Sequence, residues 1–246
     1  MSEDGSVARS QFPRLQLSDE VASYVRELIV SGQLRSGQFI RQEQIAEELE
    51  LSATPVREGL LTLKGEGFVQ LKPRRGFVVA PLSAADVRDL FTAQELLAGE
   101  LVYRAAGRID DDGLRELRRI HEENRKAVAA GDSPAIESGN HDFHQRVFLI
   151  AGAPRLEWML SIATKFTPSR FLTANPKWNR ASTRDHAAIL RALGDHDGER
   201  ARVAMMRHME NAGELVATHF EAAQAAAQGG TWTGAGAVSE RRRAHG

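Results

Sequence analysis

Leu51-Ser52-Ala53-Thr54-Pro55-Val56-Arg57-Glu58-Gly59-Leu60, followed by Gly65-Glu66-Gly67-Phe68-Val69 and Lys72-Pro73-Arg74-Arg75-Gly76-Phe77, is the stretch on which the fold of this chain turns. Ser52 is placed to cap a helix, Pro55 falls in its first turn where a missing N–H is harmless, and Leu51 can staple onto Val56. Val56, Leu60 and Leu63 then share one face, predicted to be buried, while Thr54, Arg57 and Glu58 lie off it near the exposed start. An exposed helix start is what enters a DNA major groove. Beyond the glycines, Phe68 to Leu71 and Phe77 to Ala80 read as two short strands. The turn between them carries Lys72, Arg74 and Arg75, so the pair reads as a β-hairpin wing whose tip suits phosphates or a minor groove. A solvated basic turn is the plainer alternative.

Upstream, Ser18 opens an apolar stripe of Val21, Ala22, Val25, Leu28 and Ile29 at helical spacing, which stops near Ser31 and Gly32. Ile45, Ala46 and Leu49 mark a short second helix that ends before Leu51. Helix, helix, turn, helix and hairpin in that order carry more weight than any one of them. The order and the quoted motifs closely resemble the GntR family from about Leu17 to Pro81. The resemblance implies a winged helix-turn-helix, a homodimer on a pseudo-palindromic double-stranded operator, Ser52, Thr54 and Arg57 near DNA, and Gly76 at the wing. Many members carry arginine directly after the Ser52 position, where this chain has Ala53, which puts one base contact and the sequence preference in doubt.

The composition fits two soluble modules. The chain has 246 residues, 42% of them hydrophobic and 26% charged, so each module can bury a core. The absence of cysteine excludes disulfides and thiolate metal sites, leaving histidine, carboxylate or amide oxygen as metal ligands. The formal net charge of −1 is no sign of nucleic-acid binding. Between Ala53 and Ala80, however, five basic residues face two acidic ones, the local bias that an oriented DNA face requires. No segment approaches the roughly 18 apolar residues of a membrane span, so a cytoplasmic protein without membrane contact is expected. The expected organisation is a flexible segment over 1–16, the winged helix-turn-helix over 17–81, an all-α unit over 82–226, and a disordered tail over 227–246.

From Ser83, with Asp86 three residues on in an N-capping pattern, a long helix is expected to about Gly107. Asp110 to Ala130, Pro134 to Ala151, Pro154 to about Thr173, Thr183 to Leu193 and Asp197 to Ala227 continue the helical spacing, giving a mostly α chain ending in a bundle of about six helices. Asn140 and His144 fall inside the stripe of Ile136, Phe143, Val147 and Ile150. His186 shares a face with Ile189, Leu190 and Leu193, and His208 lies among Ala201, Met205, Ala212 and Leu215. Buried-face polar groups need partners, and three such histidines with an amide one turn from the first converge most economically on a divalent metal ion, zinc first, with nickel or manganese as alternatives. His121, His141, His196, His219 and His245 show no such convergence and are expected at the surface.

This layout resembles the FadR-type ligand domain, called FCD, from about Ser83 to Ala222. It rests on Asn140-His141-Asp142-Phe143-His144, the Ala151-Gly152-Ala153-Pro154 break, His186 with Ile189 and Leu190, and Gly194-Asp195 leading to His208. The resemblance implies a metal held by one Asp or Asn and three histidines, and a small-molecule metabolite effector, organic acids among them. Asn140 supplies a neutral oxygen where a carboxylate would bind more tightly. Gln94 stands where acid-sensing members often carry arginine, so the effector contact at Gln94 points to a less acidic ligand or one held by the metal. The function expected is a ligand-responsive transcriptional regulator, a repressor by the family's commoner habit, and not an enzyme. The alternatives are a metal that is structural or is itself the signal, and a metal-dependent hydrolase, which lacks an H-E-x-x-H pairing and a glutamate base beside the ligands.

Overall fold

The computed structural model describes residues 12–226. The tail expected over 227–246, with its Arg241 to Arg243 cluster and His245, lies outside the described residues, as does most of the segment expected to be flexible at the N-terminus. Two compact units divide the chain. Ser83–Phe220 forms one, and among the described residues, 12–82 group with 221–226 in the other.

In the first unit, helix α1 (Phe12–Val30) starts six residues before Ser18, inside the segment expected to be flexible. Helices α2 (Gln42–Leu49) and α3 (Ala53–Gly65) follow the sequence reading, and Glu50 turns the chain between them with a left-handed backbone (φ 56°). Ser52 has the extended backbone of a cap, but its side chain makes no capping hydrogen bond. Val21, Val25 and Ile29 of α1 are buried, as are Val56, Leu60 and Leu63 of α3, and the two helices pack together. The wing strands β2 (Val69–Lys72) and β3 (Gly76–Val79) sit one residue off the expected runs. A third strand that periodicity did not reveal, β1 (Phe39–Ile40), completes an antiparallel sheet in the order β1-β3-β2, pairing Ile40 with Phe77. Two residues are too few for an alternation to register.

The second unit holds seven helices among the described residues, where about six were expected. They are α4 (Ala84–Ala106), α5 (Asp111–Ala130), α6 (Ser133–Ala151), α7 (Pro154–Thr164), α8 (Ser169–Thr173), α9 (Pro176–Gly194) and α10 (Gly198–Ala226). Ser83 and Asp86 form the expected capping box on α4, each satisfying the other's backbone N–H. The expected single helix to Thr173 is split because Pro168 cannot donate to a preceding turn and disfavours helix at Thr167. Helix α9 starts seven residues before Thr183. Asn175 caps it by accepting from the N–H groups of Lys177 and Trp178, and Pro176 occupies the first turn. The core is built from Leu101 and Val102 of α4, Leu117 of α5, Phe143 and Val147 of α6, Ile189 and Leu193 of α9 and Met205 of α10.

Gly59 lets α3 approach α1. A Cβ there would lie 2.7 Å from the carbonyl oxygen of Ser18 and 2.8 Å from the Val21 side chain, whereas one at Gly65 meets nothing within 4 Å. Gly59→Ala is therefore expected to destabilise this unit by about 1–3 kcal/mol through overpacking against backbone. Gly65→Ala is expected to be neutral or to stabilise by up to about 1 kcal/mol. Urea unfolding of the two variants checks the difference in sign.

Candidate metal centre and candidate nucleic-acid interface

Three helices each deliver one imidazole to the same place. His144 comes from the middle of α6, His186 from α9 and His208 from α10, and one nitrogen from each ring can be chosen so that all lie within 4.8 Å of one another. The ring centroids are 5.0 Å apart for His144 and His186, 5.2 Å for His144 and His208, and 4.9 Å for His186 and His208. Aromatic neighbours brace the rings: Phe143 stacks on His186 at 4.1 Å and Trp178 on His208 at 5.3 Å. These contacts leave each ring little freedom to turn away.

Two of the nitrogens are orphaned. Nδ1 of His144 and Nε2 of His186 are shut off from solvent and have no hydrogen-bond partner. An unsatisfied buried polar atom costs about 1–3 kcal/mol, and native structures hold few of them. Nδ1 of His208 is 3.4 Å from Oδ2 of the buried Asp185, and with the proton on Nδ1 the lone pair would be on Nε2. Burial, reinforced by the neighbouring histidines, pushes His144 and His186 well below the usual histidine range, so both rings are neutral near pH 7. Burial alone would raise Asp185, but its hydrogen bond and charge interaction with His208, together with Arg207, outweigh that and hold it below the usual carboxylate range. Neutral imidazoles with orphaned lone pairs in a tight cluster are a donor set that fits zinc or another borderline divalent ion.

Asn140 lies one helical turn before His144, is half-buried, and with His144 and His208 lines a cavity of about 560 Å³. That volume suits a small metabolite. Gln94, buried on α4, also lines it, but its amide is already engaged: Nε2 donates to the carbonyl of Ala163 at 3.2 Å and Oε1 accepts from the Thr167 hydroxyl at 3.1 Å.

The expectation of surface histidines needs correction. His121 on α5 is half-buried, its Nδ1 is enclosed without a partner, and its ring lies 6.4 Å from that of His186. Its place between Leu117 and Asn124, both buried, was a helical-spacing signal that could have found it. His219 is half-buried and stacks on Phe171 at 4.0 Å, whereas His196 is exposed, as expected, with its Nδ1 meeting the carbonyl of Ala106 at 3.0 Å. His141 is exposed, as expected. Asp185 was not singled out at all, although it sits on the same face of α9 as Ile189.

In the first unit, Ser52, Thr54 and Arg57 are exposed at the start of α3, and Lys72, Arg74 and Arg75 are exposed at the tip of the hairpin. Arg75 N–H closes the turn on the carbonyl of Lys72 at 3.0 Å. Arg74 (φ 60°) and Gly76 (φ 86°) both take left-handed backbones, so glycine at 76 answers the geometry of the turn.

Comparison with known proteins follows the two units. Residues 17–79 match the family described as bacterial regulatory proteins, gntR family, and residues 89–211 match the FCD domain. The HTH-type transcriptional repressor RspR of Escherichia coli is 25% identical over 209 residues, spanning 83% of this chain and 90% of that protein. The Uxu operon transcriptional regulator of the same species is 26% identical over 219 residues, covering 78% and 83%. Among solved structures, E. coli McbR/YncC superposes with a TM-score of 0.65 at 23% identity, over 83% of this chain and 98% of that one.

The neutral histidines set a pH dependence for the metal-free protein. Unfolded, His144 and His186 titrate near the ordinary value of 6.5; folded, they resist protonation to a lower pH. The unfolded chain therefore binds protons that the folded chain does not, and stability, complete above pH 6.5, falls as the pH drops below it. The slope is at most about 1.4 kcal/mol per pH unit for each ring. Melting of chelator-treated protein between pH 7.5 and 5, with His144→Gln flattening the curve, checks this.

Proposed function

The chain belongs to the GntR family and is a transcriptional regulator with an FCD effector domain, and from this we propose that it binds a pseudo-palindromic operator as a homodimer, represses, and responds to a small-molecule metabolite at a divalent metal in its helical unit. The observation that carries the metal-assisted reading is the His144, His186 and His208 cluster with its two orphaned ring nitrogens. Those three imidazoles and the Asn140 amide would hold the ion, zinc before nickel or manganese. A bound divalent ion supplies a Lewis-acid position that an effector oxygen can occupy. The cavity beside it, with Asn140, His144, His208 and Gln94 in its lining, would receive the rest of the effector. A regulator working on operator DNA is placed in the cytoplasm, and no helix among the described residues is long and apolar enough to cross a membrane.

For DNA, Ser52, Thr54 and Arg57 would face the major groove, while Lys72, Arg74 and Arg75 meet phosphates or the minor groove. The homodimer is supported by Trp158, Met159 and Ile162, exposed together on one face of α7, an apolar surface suited to a second copy. Repression is supported by the similarity to RspR, a transcriptional repressor. Effector and operator are linked: if the effector weakens operator binding, the operator weakens effector binding by the same factor.

Elemental analysis of protein purified without chelators is expected to find near-stoichiometric zinc, nickel or manganese that His186→Ala loses. Metal-free wild type would remove the metal reading and leave the DNA reading standing. Operator binding is expected to fall with salt at about −0.9 in log–log slope per phosphate neutralised. Arg57→Ala is expected to cost about 1–3 kcal/mol of affinity or specificity. Salt-insensitive binding in a fluorescence titration would contradict the DNA reading.

A further inference from the structure

Asp185 stands immediately before His186 on α9, is 7% exposed, and places a carboxylate in contact with the histidine cluster. Its Oδ2 faces Nδ1 of His208 at 3.4 Å, and its Oδ1 faces the guanidinium of Arg207 at 3.4 Å. A carboxylate accepting from Nδ1–H leaves Nε2 of that imidazole as the donor atom and fixes the ring plane, the arrangement that orients metal-binding histidines and raises their basicity. His208 is also held flat against Trp178, so ring position and ring tautomer are set from two sides.

A second fact gives this contact weight. As ligands, three imidazoles and the amide oxygen of Asn140 supply no negative charge, so a divalent ion would bring two positive charges that these donors do not offset. Other chains can place a carboxylate directly on the ion. Here the carboxylate that touches the cluster is one ring removed, behind His208.

We propose that Asp185 is the positioning residue of the metal centre, holding His208 as its Nδ1–H tautomer and supplying, through that ring, the negative charge that Asn140 does not supply directly. The inference rests on the metal reading above. Arg207 competes for the same carboxylate, but its side chain is 60% exposed, so solvent screens it and the carboxylate remains available to His208.

The test is zinc affinity of the full chain, measured by competition with a chromophoric chelator, alongside melting of the zinc-free proteins. Asp185→Asn keeps the size and is expected to weaken zinc binding about 10–100-fold. Adding Asn140→Asp to that variant, which moves the carboxylate onto the ion, is expected to recover most of the loss. Unchanged affinity in Asp185→Asn overturns the proposal, and so does a loss that Asn140→Asp does not recover, because Asp185 would then act only through packing. Histidine-labelled wild type, zinc-free, gives a readout that needs no variant to fold. Long-range proton–nitrogen NMR is expected to show His208 protonated on Nδ1, and an Nε2–H tautomer overturns the proposal. Wild type that takes up no zinc is a separate result, the failure of the metal reading itself, seen before any variant is made.

Discussion

Enclosing three imidazoles in the middle of a helical bundle while leaving two of their nitrogens without partners works against folding. Each ring gives up water, and Nδ1 of His144 and Nε2 of His186 receive nothing from the protein in return. The cost is incurred on three separate helices, α6, α9 and α10, which must all be in place before the nitrogens come within 4.8 Å of one another. The surrounding core makes this tolerable. Phe143, Val147, Ile189 and Leu193 are fully buried around the cluster, and Phe143 also supplies the face against which His186 stacks. The apolar packing of the bundle and the geometry of the polar cluster are thus one construction, with the same residues serving both.

Much of this was legible because a helix repeats. Stripes at three- and four-residue spacing place Val56, Leu60 and Leu63 inside α3, and the same rule puts His144, His186 and His208 on buried faces of their helices. Their convergence could be inferred because each ring had to find a partner somewhere. What was not legible depends on contacts across distance or on local breaks. The pairing of Asp185 with His208 spans 23 residues and exists only because α9 lies against α10. The short α8 follows from Pro168, and the early start of α9 follows from the Asn175 cap, whose first turns mix buried polar residues, Asn179 and Ser182, with Trp178 and so blur the apolar stripe. Strand β1 is shorter than any period can show.

The first unit solves a different problem, that of presenting charge without a charged chain. The formal net charge is −1, so attraction to a polyanion has to come from placement. Burial of Pro55, Val56 and Gly59 turns one side of α3 to the core and leaves Ser52, Thr54 and Arg57 on the other, while the left-handed backbones at Arg74 and Gly76 fold the hairpin tip tightly enough to hold Lys72, Arg74 and Arg75 together in solvent. Gly59 matters here at one remove. By letting α1 close on α3 it fixes the register in which those three side chains emerge.

The walls of the cavity beside the histidines are latched by hydrogen bonds between elements. Gln94 on α4 holds the carbonyl of Ala163 and the hydroxyl of Thr167, and Asn179 on α9 donates to the carbonyl of Thr173 at the end of α8 at 2.7 Å. A ligand entering such a site meets groups that are already ordered, so little entropy is lost in arranging them. A ligand that competes for these groups, by contrast, must release α4 from the α7–α8 connection or α8 from α9. Only the second kind binds two packings of the bundle with different affinity, and a difference in affinity between two states is what an effector needs in order to shift them. By that criterion, for the effector proposed above, release of the latches at Gln94 and Asn179 would be the step that converts binding into a change of shape.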